Sequence, residues 1–207
     1  MQLLCVTVTA VGNVPVDGLL GALAFPGTEN GTFSMTTLDL AVLFLGLAVG
    51  LTFAAHGAQK AFGWWGGPGM AGWQGAMEHM GFRPARPFAL VSMAAELIGG
   101  AFLAIGFLTP FAAALVVAQT TVIILQVHLA KGFWVAKGGI EFALQLGIGA
   151  LALGLLGRGT LSLDSAIGWN FGVSTRVDLL IVGLVAGVIS VAIPRLGSHN
   201  RPAPQAG

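Results

Sequence analysis

Phe88 to Ala130 reads FALVSMAAELIGGAFLAIGFLTPFAAALVVAQTTVIILQVHLA. This stretch holds one carboxylate, Glu96, and one break, Thr109-Pro110. The hydrocarbon core of a bilayer takes roughly 20 apolar residues as helix. The stretch therefore reads as two spans, Phe88 to Leu108 and Phe111 to Ala130. They form a tight antiparallel hairpin at a proline that cannot continue the first helix. Outward from it lie three more apolar runs: Leu38 to Phe62, Gly138 to Leu156, and Val177 to Ile193, the last being the shortest.

The whole chain agrees with its centre. Of 207 residues, 56% are hydrophobic and 8% charged, and the mean hydropathy is +0.88. A soluble domain carries about 25% charged residues. That deficit excludes an ordinary water-soluble globule and a disordered chain. With a net charge of +1 it also excludes nucleic acid as a partner. The 32 glycines follow no G-X-Y period, so the chain is not collagen-like. The fold class is an all-α membrane protein. It comprises a four-helix transmembrane bundle, a fifth C-terminal transmembrane helix, and a short interfacial helix in the first loop. The domain division is a membrane domain over 35–166, the added helix over 167–194 and a tail over 195–207.

Cys5 is the single cysteine, which excludes an internal disulfide or a dithiol relay. Residues 1–34 carry Asp17 and Glu29 but no Lys or Arg, unlike a signal peptide. Met35, directly before the first span, is the expected start, with a loosely ordered extracytoplasmic tail as the alternative.

Lysine and arginine set the orientation. Alternation puts Lys60, Arg83, Arg86, Lys131, Lys137, Arg195 and Arg201 on one side, and Arg158 and Arg176 on the other. The expected location is the plasma (inner) membrane, multi-pass, with the N-terminus outside and the C-terminus cytoplasmic. In the first loop Met70, Trp73, Met77 and Met80 recur at helical spacing. This is the pattern of an amphipathic helix lying at the membrane surface, or of a simple aromatic anchor.

Polar side chains inside spans are costly and point to function. His56 and Lys60 are four residues apart near the end of the first span, and Ser92 and Glu96 four apart in the second. Gln119, Gln126 and His128 follow in the third, and Glu141 and Gln145 in the fourth. Glu96 lies about 12 Å deep if the second span starts at Phe88. Alternation alone puts His56, Lys60, Glu96, His128 and Glu141 in the same half of the membrane, donated by four helices as in bundle cores. Two carboxylates then face one ammonium and two imidazoles. Such a set suits proton handling by Glu96, His128 and Glu141. It equally suits grip on a polar head group, such as a quinone carbonyl, by His56, Lys60, Glu96 and His128. Each also has a plainer reading: Lys60 snorkelling to the interface, His128 and Glu141 wetted at helix ends, His56 and the glutamines as inter-helix hydrogen bonders. Gly99 and Gly100 suit close helix packing. No metal is expected, because no Glu-x-x-His or His-Glu-x-x-His spacing occurs.

The motifs also fall in a known order. GLTFAAHGAQKAFG spans Gly50 to Gly63, Met80-Gly81-Phe82 precedes a basic stretch, and Ala95-Glu96-Leu97-Ile98-Gly99-Gly100 leads to Gly106-Phe107-Leu108-Thr109-Pro110. Val127-His128, Gly132-Phe133-Trp134, Gly139-Ile140-Glu141-Phe142-Ala143-Leu144, Gly157-Arg158-Gly159 and Ser162-Leu163-Asp164 follow. From about Leu38 to Asp164 this series closely resembles the DoxX family of small bacterial membrane proteins. Thr-Pro at 109–110 and the Gly-Arg-Gly-Thr run depart from the family's usual residues. The resemblance implies a four-helix membrane bundle with His56, Lys60, Glu96, His128 and Glu141 at its characteristic polar positions. It also implies a link to thiosulfate oxidation coupled to quinone, or to a complex with a superoxide dismutase and a thiosulfate sulfurtransferase. Three functions follow as expectations. The first is a redox-linked membrane subunit with quinone as its cofactor. The second is a non-enzymatic scaffold docking soluble oxidoreductases on its cytoplasmic face. The third is a small proton-coupled transporter. The bilayer is the one partner common to all, and a homo-oligomer is compatible with each.

Overall fold

The computed structural model describes residues 36–157 and 159–198, with side chains described to residue 192. The expectations for Met35, the segment before it, Arg158, the Arg195 side chain and the tail beyond 198 lie outside what is described. Among those described, the protein is helical and has no strand. The helices are α1 (Thr37–Phe62), α2 (Gly69–His79), α3 (Ala85–Ile105), α4 (Thr109–Ile123), α5 (Glu141–Leu156), the short α6 (Leu163–Ala166) and α7 (Val173–Ser198).

Local chemistry starts and stops them. Thr36 and Asp39 form a reciprocal capping box at the head of α1. Gly106 closes α3 in the left-handed conformation, with Phe107 N–H donating to Phe102 O at 2.8 Å. That is the Schellman ending that glycine favours. Pro110 then sits in the first turn of α4, where its missing N–H costs nothing.

α4 is central: it packs on α3, α5 and α7, while α1 packs on α3 and more lightly on α5. Val49, Phe53, Leu103, Val116, Ala150 and Leu153 fill the space between the helices. Small residues let backbones approach where no water-driven collapse assists. A Cβ added at Gly50 would lie 2.4 Å from Ala104 N, and one at Gly100 2.4 Å from Ala54 N. On the other flank Gly183 and Gly187 of α7 meet Ala114 O and Ala118 O of α4.

Among the described residues, four helical segments are long and apolar enough to cross a membrane: Thr37–Phe62, Ala85–Ile105, Thr109–Lys131 and Val173–Ala192. This reverses one expectation. The last helix is not the shortest; at 26 residues it equals α1. The short one is α5, with 16 residues, or about 24 Å against a core of about 30 Å. The cause is the turn before it. Ile140 N–H donates to Gly132 O and Glu141 N–H to Phe133 O, so Gly138 to Ile140 belong to a folded loop. Helix α2 forms in the first loop as expected. Its Met70, Trp73 and Met80 pack with buried Met77 against Phe82, Phe88 and Ala89, so its apolar face meets the protein.

The bundle has two distinct ends. At one, the head of α1, the α3–α4 turn, the end of α5 and the start of α7 are tied together. Thr160 donates to Asp39, and buried Asp164 accepts from Leu108 N at 2.7 Å and Thr109 N at 2.8 Å. At the other end lie α2, the end of α1 and the loop between α4 and α5.

Candidate functional site

α3 begins at Ala85, three residues earlier than the apolar run, so Glu96 lies about 16 Å along its helix, near the helix's middle. Its side chain is fully buried. Lys60, approaching from α1, does not snorkel outward; its Nζ forms an ion pair and hydrogen bond with Glu96 Oε1. The same ammonium stands 4.0 Å from the centre of the Trp73 ring, a cation–π contact supplied by α2. From α4, Gln119 Nε2 donates to Glu96 Oε1 at 2.9 Å and to Ser92 Oγ at 2.6 Å. One carboxylate oxygen of α3 is thus held from two other helices, α1 and α4.

Beside this pair is a cavity of about 350 Å³, at the small end of the range for small-molecule sites. His56, Lys60, Trp73, Glu96, His128 and Phe142 contribute to its lining. Apolar walls come from Phe53, Ile123 and Leu146. Two buried polar side-chain atoms among the described residues have no hydrogen-bond partner, Trp73 Nε1 and Glu96 Oε2. Both belong to residues lining this cavity. Burying a polar group without a partner costs several kcal/mol on an apolar reference scale (~2–7 kcal/mol). An orphan donor and an orphan acceptor at one cavity therefore fit a ligand that offers one of each.

His128 ends a π-helical turn, Ile124–His128, that interrupts α4. Such turns often accompany functional sites, and no local sequence signal marks this one. His128 Nδ1 lies 2.6 Å from Gly138 O. A carbonyl only accepts, so the proton is on Nδ1 and Nε2 is left for other partners. His56 is exposed at the edge of the cavity, its ring edge-on to Phe142 with centroids 6.0 Å apart.

Glu141 stands apart from this group. It does not line the cavity; its Oε2 accepts from Val135 N at 2.9 Å and closes the loop before α5. Its place in the first turn of α5 suits a carboxylate there. Gln145 is exposed, and Gln126 donates to Met80 O at 3.1 Å, tying α4 to the end of α2. Trp73 was read from sequence only as part of an anchor stripe; its contact with Lys60 needs the fold. Among the described residues no group of three or more His, Cys, Asp or Glu could hold a metal.

No curated protein and no solved structure matches this chain significantly. The family model described as DoxX matches residues 41–129, a narrower span than Leu38 to Asp164. The matched residues run from the first turns of α1 through the π turn after α4 and contain His56, Lys60, Trp73, Glu96 and His128. Over that segment, a little under half of its length, the chain is similar to the DoxX family.

Proposed function

We propose that this DoxX-like membrane protein is the membrane subunit of a redox-linked complex and binds a quinone head group in the cavity beside Glu96. The observation that supports this most is the pair of unpartnered buried atoms, Trp73 Nε1 and Glu96 Oε2, both on residues that line the cavity. A quinone, when bound, supplies a two-electron, two-proton couple. The residues have clear tasks around it. Trp73 Nε1–H and Lys60 Nζ donate to a head-group oxygen. Glu96 holds or releases a proton at Oε2, and His128 does so at Nε2. Gln119 and Ser92 fix the Glu96 carboxylate, and Met80, Ile123 and Val127 keep the pocket apolar. Glu141 acts on the loop and not on the head group.

The electrons come from a soluble oxidoreductase, in line with the superoxide dismutase or sulfurtransferase partnership that the family resemblance implies. Arg83, Lys131 and Lys137 between the helices and Arg86 in the first turn of α3 are exposed at the cavity end of the bundle and form the docking face. By the charge distribution this end is cytoplasmic and the membrane is the plasma membrane. The same basic face favours the second reading, a scaffold that docks partners and binds no quinone.

Titration calorimetry with a short-tailed benzoquinone separates the two readings. The expected result is saturable one-to-one binding, weakened about tenfold by Trp73→Phe, the equivalent of one lost hydrogen bond. Binding that is absent, or unchanged in both Trp73→Phe and Glu96→Gln, overturns the quinone reading.

A further inference from the structure

On a different face of α5, where α5 and α7 diverge over α4, lies a second cavity of about 360 Å³. Val117, Leu144, Leu151, Leu155, Leu180 and Leu184 are among its apolar lining residues. Its two hydroxyls, Thr120 and Thr121, turn back on their own helix: Thr120 Oγ1 donates to Val116 O at 2.9 Å and Thr121 Oγ1 to Val117 O at 2.8 Å. The groove therefore asks no hydrogen bond of its occupant. Its lining runs along α5 from Leu155 to Leu144, about 16 Å. That is the depth of one leaflet of a ~30 Å core.

A cation stands at the shallow end. Arg176 precedes Val177, a lining residue, and its Nη1 donates to Leu155 O at 3.2 Å and Leu156 O at 2.9 Å. Its Nε donates to Phe171 O at 2.8 Å. A guanidinium has five N–H donors in a fork that matches phosphate oxygens. The two on Nη2 have no partner among the described residues.

We infer that this groove is a phospholipid site: a diacyl glycerophospholipid places its phosphate on Arg176 Nη2 and lays one acyl chain between α5 and α7. Charge and length together select this occupant. An isoprenoid tail fills the groove but brings no anion to Arg176. A helix from a second copy of the chain brings neither the anion nor so slender a shape. The lipid completes the wall on the side where α5 is short, and it fastens α7 to the bundle.

The test is native mass spectrometry of the protein released from nanodiscs of phosphatidylglycerol and phosphatidylethanolamine. One diacyl phospholipid retained per chain is expected. Ile181→Trp fills the groove from its rim, where Ile181 is 55% exposed, so folding is spared and circular dichroism verifies it. Arg176→Gln should lower retention about tenfold, the loss of one charge-assisted contact, and Ile181→Trp should lower it by at least about as much by occupying the groove. Excess inorganic phosphate should leave retention unchanged. Equal retention in wild type and folded Ile181→Trp overturns the site. So does displacement by inorganic phosphate, or a lipid-free dimer that Ile181→Trp dissociates.

Discussion

Glu96 is the residue on which the account turns, because burial in an apolar bundle gives a carboxylate few ways to persist. Here it is ion-paired to Lys60 and hydrogen-bonded by Gln119. Breaking such a pair from one side leaves an uncompensated buried charge and costs about 3–5 kcal/mol, whereas replacing both partners by apolar residues is often neutral. Lys60→Met should therefore destabilise the protein by about that amount, and Lys60→Met with Glu96→Leu should recover most of it. Thermal unfolding in one detergent checks both variants. A site kept for function predicts that the stable double variant binds no quinone. Glu96 was readable from sequence because one carboxylate stood alone in a long apolar stretch. His56 and Lys60 share a helical face by spacing, yet Lys60 turns inward and His56 stays exposed at the cavity edge. Their face straddles the boundary of the packing, which spacing alone does not reveal. In the sequence Asp164 stands out only as the end of the Ser162-Leu163-Asp164 element. Its capping of the α3–α4 turn joins residues 55 or more positions apart, and no local pattern carries that.

Elements were readable where composition changes sharply and less so where a loop is itself apolar. The first three spans appear within a few residues of their expected ends. The fourth was over-extended, because Gly138 to Ile140 look like helix by hydropathy but spend their hydrogen bonds on the preceding loop. The π turn at Ile124–His128 has no glycine or proline to announce it. Glycine positions divide into those that carry packing and those that do not. Gly50→Val would thrust a side chain against the α3 backbone and should cost about 3 kcal/mol or more. Gly75 of α2 has nothing within 4 Å of an added Cβ. Gly75→Ala should instead stabilise by about 0.5–1 kcal/mol through helix propensity. Unfolding curves of the two variants, measured side by side, check the contrast.

At the scale of the whole molecule, the structure separates two tasks along the bundle. One end is fastened by the Asp39–Thr160, Asp164–Thr109 and Arg176–Leu156 hydrogen bonds. The other opens a largely apolar cavity under α2 with a few polar side chains in its lining, and basic residues stand around it. The sequence indicated the common depth of the polar residues from alternation of spans alone. It did not indicate that α2 completes the cavity, since that depends on Trp73 reaching Lys60 across a turn of glycines and a proline. The central claim is that the cavity holds a quinone head group. Native mass spectrometry of the protein gently extracted from its own membranes tests it most directly. The account predicts an adduct with the mass of a quinone, present in the wild type and absent in Glu96→Gln. A wild-type protein free of that adduct and carrying a stoichiometric soluble partner would contradict it and leave Lys60 and Glu96 as a structural ion pair.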